Sequence, residues 1–226
     1  MKQIQDAYIV AATRTPIGRS HKGFFRNTRP DDLLATTLKA VMAQAPGLDP
    51  QAVEDVICGC AIPEAQQGLN VARIGAVLAG LPNSVGGITV NRFCASGLSA
   101  VAMAADRIRV GEADVMIAAG VESMSMVPMM GNSPSLSPSI FAPDSDVGIA
   151  YGMGLTAERV AQQWKVSREA QDAFAVESHR RALAAQQAGE FAAEITPIEV
   201  TDRGLDLATG QTTARSRTVS LDEGAR

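Results

Sequence analysis

The stretch Asn-Arg-Phe-Cys-Ala-Ser-Gly-Leu-Ser-Ala at residues 91–100 passes directly from a strand pattern into a helix pattern. The apolar residues just before it, Ile88 and Val90, are typical of a buried strand. Residues 95–110 follow as a helix whose first turns contain mainly Ala, Ser and Gly, so neighbouring elements can approach it closely. We therefore predict a strand, a sharp junction at Cys94 and a closely packed helix that begins beside this thiol.

Strand and helix patterns alternate on both sides of this junction. The strand runs are almost continuously apolar, which is typical of strands buried on both faces, and Pro or Gly residues end them. The predicted strands lie at residues 7–12, 56–62, 88–90 and 115–121, and the predicted helices at 31–42, 72–79 and 95–110. This alternation predicts an α/β fold with a largely parallel sheet, covered on both faces and carrying its site at the carboxyl ends of the strands.

The pattern changes after residue 121. Residues 124–146 contain four prolines and little apolar periodicity, which indicates functional loops. Two helices are predicted next, one capped by Thr156 and ending at Trp164, the other capped by Ser167 and ending at Gln187. From residue 201 the sequence is polar, and we predict no further strand or helix. The chain is therefore divided into residues 1–121 and 122–226.

Composition excludes several classes of protein. The 226 residues are 46% hydrophobic and have a net charge of −4, which is globular composition without the basic surface of a nucleic-acid-binding protein. Three cysteines are few for this length and are typical of a reducing compartment. The run at 7–12 is too short for a signal peptide, and no run approaches the roughly 20 residues of a membrane span. We expect a soluble cytoplasmic protein.

The residues alone leave two interpretations of Cys94. At the first turn of a helix, unpaired N–H groups and the helix dipole favour a thiolate and could hold an oxyanion. A single cysteine is, however, more often a small apolar core residue, and the spacing alone favours that second interpretation. Cys58 and Cys60 have the spacing of one strand face, and two thiols alone do not complete a zinc site.

The motif at 91–100 resembles the nucleophile motif of thiolases, and further stretches agree with that family in order and spacing. These are residues 9–18, 70–82, 120–125, 153–160 and 167–179. The resemblance implies a layered, mixed but mostly parallel sheet with covering helices in residues 1–121, and an inserted loop domain that binds CoA in 122–226. It implies that Cys94 carries the acyl group and that its N–H is one oxyanion donor. It also implies that Met153 lines the pantetheine and acyl pocket and that Arg226 packs on the CoA adenine.

By the same resemblance, the activity is cleavage of 3-ketoacyl-CoA by CoA, with coenzyme A as co-substrate, no metal or other cofactor, and a dimer or tetramer as the assembly. Gly152 stands where biosynthetic members have His, which favours a degradative member. The family's Asn-Glu, Gly-His-Pro and Cys-x-Gly motifs are not in this sequence. We therefore expect the C-terminal thiolase domain to be absent and the isolated chain to be inactive. The alternatives are a biosynthetic acetoacetyl-CoA thiolase and a non-catalytic protein that binds lipid or CoA.

Overall fold

A computed structural model describes residues 4–143 and 147–226. The helices are α1 (Pro30–Ala43), α2 (Val71–Ala79), α3 (Ser96–Arg109), α4 (Met153–Trp164) and α5 (Arg168–Gln187). The strands are β1 (Asp55–Gly59), β2 (Gly86–Val90), β3 (Met116–Gly120), β4 (Ile198–Leu205) and β5 (Thr212–Val219). Residues 144–146, the end of the predicted functional loop, lie outside the described residues.

Strands β1, β2 and β3 form a parallel sheet in the order β2-β1-β3. The central strand β1 is buried along its whole length. Val56 and Cys58 pack with residues of α1 and α2, whereas Ile57 between them packs with Ala100 and Ala104 of α3. The sheet is therefore covered on both faces, and the predicted α/β fold with a parallel sheet is confirmed.

Side-chain caps mark the beginning of two of the five described α-helices, α2 and α5. Asn70 accepts a hydrogen bond from the Arg73 amide at the start of α2, and Gly80 ends it in the left-handed conformation with φ of 79°. Ser167 caps α5 as predicted. The predicted cap Thr156 is wrong, because α4 begins at Met153 after the N-cap residue Gly152. Of the described helices, none is both long and apolar enough to cross a membrane.

The predicted first strand at residues 7–12 is wrong. These residues belong to no strand, and Tyr8, Ile9 and Val10 are 76%, 80% and 83% exposed. A continuous apolar run marks a segment that can be buried, but a strand also needs a neighbouring backbone with which to exchange hydrogen bonds. Within the described part of the chain, residues 7–12 have no such strand neighbour.

The polar C-terminal region was also wrongly predicted, because it contains an antiparallel hairpin. Strand β4 pairs with β5 from Ile198 opposite Val219 to Leu205 opposite Thr212. Ile198, Val200 and Val219 share one face of the hairpin and pack with Phe25. The remaining positions are mostly polar and exposed, so the apolar alternation is too short to be recognised as two strands.

The chain forms two compact units. One comprises the residues up to Asn132 together with Ala192–Gly224, and the other comprises Ser133–Phe191 with the last two residues. The predicted core region 1–121 lies within the first unit, which also includes residues 122–132 and the hairpin. The assignment of residues 122–226 to a CoA-binding loop domain stays a prediction.

Arg14 joins the N-terminal segment to the residues that follow the hairpin. Its two terminal nitrogens donate to both carboxylate oxygens of Asp222 at 2.7 and 2.9 Å, and its Nε donates to Glu194 at 2.6 Å. Asp222 also accepts the Ile17 N–H at 2.8 Å. The hydrogen bonds from Arg14 hold the pKa of Asp222 below its ordinary value of 3.8. Bidentate pairs of this kind are among the stronger polar contacts in proteins.

Replacing Asp222 with Asn is expected to lower the free energy of unfolding at pH 7 by roughly 1–2 kcal/mol, because charge-assisted bonds become neutral ones. The pKa of Asp222 is lowered in the fold, so its contribution is present above the ordinary value of 3.8 and is lost as pH falls through the folded pKa. Urea unfolding of the two proteins from pH 7 to pH 2 should therefore converge at the acid end. Asp114→Asn, an exposed carboxylate in the same unit, is the control, and an equal loss there would contradict the prediction.

Candidate functional site

Cys94 lies in the tight turn between β2 and α3. Cys94 is exposed, whereas Cys58 and Cys60 are buried. The interpretation of Cys94 as a core residue is therefore wrong for this chain. The thiol lies at the head of a helix, where the first N–H groups have no acceptor within the helix.

Three side-chain hydrogen bonds shape this turn. Asn91 Oδ1 accepts the Phe93 N–H at 2.9 Å. Ser96 Oγ accepts the Arg92 N–H at 2.8 Å and donates to the Phe93 carbonyl oxygen at 2.6 Å. Phe93 has a φ of 45°, a left-handed conformation that is uncommon for a non-glycine residue. The residue directly before Cys94 is therefore held in a strained conformation.

The head of α3 rests on the carboxyl ends of the central strands. A Cβ atom at Gly59, the last residue of β1, would lie 2.5 Å from the Gly97 nitrogen and 2.7 Å from the Ser96 carbonyl oxygen. At Gly120, the last residue of β3, it would lie 4.0 Å from the Gly97 Cα atom. The turn that carries Cys94 is thus at the edge of the parallel sheet where functional residues are expected.

The other two thiols are in a different electrostatic environment. Burial, with smaller contributions from Cys60 and Glu122, raises the pKa of Cys58 to about 12. Burial, with a contribution from Glu122, raises the pKa of Cys60 to about 11. Both thiols are therefore protonated near pH 7, and the thiolate is the reactive form.

A buried amide, Gln67, connects the loops that follow β1 and β3. Its Nε2 donates to the Glu122 carboxylate and to the Ile62 carbonyl oxygen, and its Oε1 accepts the Ser123 N–H at 2.8 Å. Glu122 also accepts the Ala61 N–H at 2.7 Å. Sequence analysis missed Gln67, because nothing in its short loop marks a polar residue as fully buried. The arrangement fixes the loops at the carboxyl edge of the sheet.

The two other residues that the sequence singled out belong to the other unit. Met153 is the first residue of α4 and is 69% exposed. The Arg226 N–H donates to Nδ1 of His179 on α5 at 3.1 Å. Cys94, in contrast, is in the unit that contains the parallel sheet. Among the described residues, no group of three or more His, Cys, Asp or Glu side chains could hold a metal ion.

Limiting iodoacetamide at pH 7 is expected to label Cys94 in preference to Cys58 and Cys60. The reason is that Cys94 is exposed, whereas burial keeps the other two thiols protonated and out of reach. Peptide mapping by mass spectrometry measures the adduct at each position. Complete unfolding in urea should equalise the three rates and serves as the control. Preferential labelling of Cys58 or Cys60 in the folded chain would contradict the prediction.

Substitution of Gly59 by Ala is expected to destabilise the chain and slow the alkylation of Cys94. The added methyl group would overlap the backbone of Ser96 and Gly97, and overpacking of this kind typically costs about 1–3 kcal/mol. Gly47→Ala is the control, since a Cβ there has no atom within 4 Å. Urea unfolding and the Cys94 alkylation rate measure the two effects. Equal behaviour of the two variants would show that α3 does not depend on Gly59.

Comparison with known proteins identifies the family. The model of the thiolase N-terminal domain matches residues 7–225. A 3-ketoacyl-CoA thiolase of Bacillus subtilis (strain 168) is 49% identical over 200 residues, which cover 88% of this chain and 50% of the relative. A 3-ketoacyl-CoA thiolase of Shewanella sp. (strain MR-7) is 46% identical over 197 residues, covering 87% of this chain and 50% of the relative.

A 3-ketoacyl-CoA thiolase of Aeromonas hydrophila is 44% identical over 197 residues, with the same coverage of 87% and 50%. The chain thus spans about half the length of the curated relatives it matches. The family match includes the β2–α3 junction, the turn with Cys94 and the sheet edge on which α3 rests. This chain belongs to the thiolase family and corresponds to its N-terminal domain.

Proposed function

We propose that this chain is the nucleophile-bearing half of a degradative thiolase, an acyltransferase that cleaves 3-ketoacyl-CoA with CoA. The observation that carries the proposal is the one exposed thiol, Cys94, in a fixed turn at the head of α3. The family match and the relatives that are named 3-ketoacyl-CoA thiolases support it. The motif at 91–100 supports the assignment of Cys94 as the acyl-carrying residue.

In the proposed reaction, the Cys94 thiolate attacks the keto carbonyl of the substrate. The bond between the α and β carbons then breaks, its electron pair leaves on the acetyl-CoA fragment, and that fragment takes up a proton. The thiol of a second CoA, as it gives up its proton to a base, attacks the thioester on Cys94 and releases the shortened acyl-CoA and the thiolate. The Cys94 N–H at the helix head is proposed as one donor to the thioester oxygen.

Proton transfer needs groups that this chain does not offer in the family's pattern. Its only histidines are His21 and His179, and neither lies in a Gly-His-Pro motif. We propose that residues of a C-terminal half supply the base that activates Cys94 and the acid/base group for the α carbon and the CoA thiol. General acid/base groups typically contribute about a hundredfold to ten-thousandfold in rate.

The binding of coenzyme A is assigned to the second unit. Met153 is proposed to line the pantetheine and acyl pocket, and its exposed position at the start of α4 leaves it available for such a contact. Arg226 is proposed to pack on the CoA adenine. Its backbone N–H is held by a hydrogen bond to Nδ1 of His179. Gly152, the N-cap residue of α4, has no side chain to narrow the acyl pocket, which supports broad acyl specificity. The assembly is proposed to be a homo-oligomer.

The test is acetoacetyl-CoA thiolysis, followed by loss of substrate absorbance, on the 226-residue chain with and without a C-terminal half that carries the Gly-His-Pro and Cys-x-Gly motifs. We expect no thiolysis by the chain alone and activity from the pair. Cys94→Ala in the pair should abolish the activity, because no acyl-enzyme can form. Cys60→Ala, which removes a buried thiol, is the matched control and should retain activity.

Two outcomes would contradict the proposal. Full activity of residues 1–226 alone would show that the acid/base groups are in this chain. An inactive but assembled pair that binds CoA would favour the non-catalytic lipid-binding or CoA-binding alternative. Acetoacetyl-CoA is a substrate for both alternatives, so the degradative assignment is tested by thiolysis of a longer 3-ketoacyl-CoA, which a biosynthetic acetoacetyl-CoA thiolase should cleave poorly.

A further inference from the structure

The hydroxyl of Ser96 has two partners in the turn that carries Cys94, and both lie on the backbone before the cysteine. It accepts the Arg92 N–H at 2.8 Å and donates to the Phe93 carbonyl oxygen at 2.6 Å. Ser96 is only 3% exposed, so water has little access to replace the hydroxyl. The loss of this hydroxyl would leave the Arg92 N–H without its acceptor, and unsatisfied donors of this kind are costly.

The backbone of Phe93 is fastened on both sides. Asn91 Oδ1 holds its N–H, and the hydroxyl and N–H of Ser96 both bond its carbonyl oxygen. These bonds keep Phe93 at a φ of 45°, a conformation that costs of order 1 kcal/mol or more when a non-glycine residue adopts it. The dihedral angles of Phe93 place the Cα atom of Cys94, because Cys94 is the next residue. The thiol is thus placed by a strained backbone that needs its hydrogen bonds.

We propose that Ser96 is a positioning residue for the nucleophile: its buried hydroxyl holds the strained turn that places the Cys94 thiol at the head of α3. This inference rests on the proposed function of Cys94. Ser96 itself touches neither substrate nor thiol in the proposed reaction. The Ser96 backbone lies close to Gly59 at the end of β1. Ser96 therefore connects the end of β1, through its backbone, to the turn before α3, through its hydroxyl.

The experiment measures the alkylation rate of Cys94 by iodoacetamide at pH 7 in the folded 226-residue chain and in folded Ser96→Ala. We expect the alkylation to slow by about twofold to tenfold, the range of one net hydrogen bond. The slowing should occur while Cys58 and Cys60 stay unlabelled, because the displaced turn changes the position of the Cys94 thiol and not the packing of the core. A role in stability alone would leave the Cys94 rate of the folded protein unchanged.

Two further variants serve as control and as second test. Ser99→Ala removes a hydroxyl one turn along the same helix and should leave the alkylation rate of Cys94 unchanged. Labelling of Cys58 and Cys60 reports unfolding in every sample, because both are buried in the folded chain. If the Ser96→Ala substitution unfolds the chain and exposes Cys58 and Cys60, the Asn91→Ala variant provides the test of the turn instead. Asn91 is exposed and holds the same turn through the Phe93 N–H. The loss of its side chain should therefore also lower the alkylation rate of Cys94.

The outcomes separate this inference from the proposed function. A folded Ser96→Ala chain in which Cys94 is alkylated at the parent rate would overturn the positioning role while the nucleophile assignment stands. If the Ser96→Ala chain unfolds, an Asn91→Ala chain in which Cys94 is alkylated at the parent rate would overturn the positioning role as well. A parent Cys94 that is alkylated no faster than the buried Cys58 and Cys60 would overturn both the nucleophile and the residue that positions it.

Discussion

The close contact between the end of β1 and the head of α3 determines the rest of the arrangement. Gly59 has no side chain, and the backbone of Ser96 and Gly97 occupies the space where one would lie. Because β1 is the central strand and is buried on both faces, its position is fixed by α1 and α2 on one side and by α3 on the other. The turn before α3 is therefore held in a fixed position as well, as the proposed role of Cys94 as nucleophile would require.

Much of the sheet unit was predictable from the sequence because its signals are local. The apolar runs of β1 and β3 are long enough to be recognised, and Asn70 and Gly80 mark the ends of α2 by their capping chemistry. The junction at Cys94 was predicted from the immediate change from strand to helix pattern. Each of these features depends on neighbours within a few residues, so the chain alone is sufficient to indicate them.

The features that could not be predicted depend on distant partners. The run at Tyr8, Ile9 and Val10 has strand composition but no strand partner within the described residues, so its pattern alone was misleading. The hairpin of β4 and β5 owes its burial to Phe25, far away in the chain. The Arg14–Asp222 pair and the Gln67 amide likewise join segments whose proximity no local pattern reports. The same holds for the candidate site: Cys94 was predicted from its motif, whereas its strained turn and the hydrogen bonds of the Ser96 hydroxyl are seen only in the structure.

The three cysteines show how one fold assigns different chemistry to one residue type. Cys58 on β1 and Cys60, the residue after its end, pack in the apolar cluster with residues of α1 and α2, and burial keeps their thiols protonated near pH 7. Cys94 lies beyond the sheet edge, exposed and next to the N–H groups of α3. The small residues at the start of α3 allow the helix to approach the strand ends, and this approach brings the helix terminus to the edge where Cys94 emerges. Small residues thus determine the packing of α3, because its buried residues are Ser96, Ala100 and Ala104, whereas its larger side chains Leu98, Val101 and Met103 are exposed.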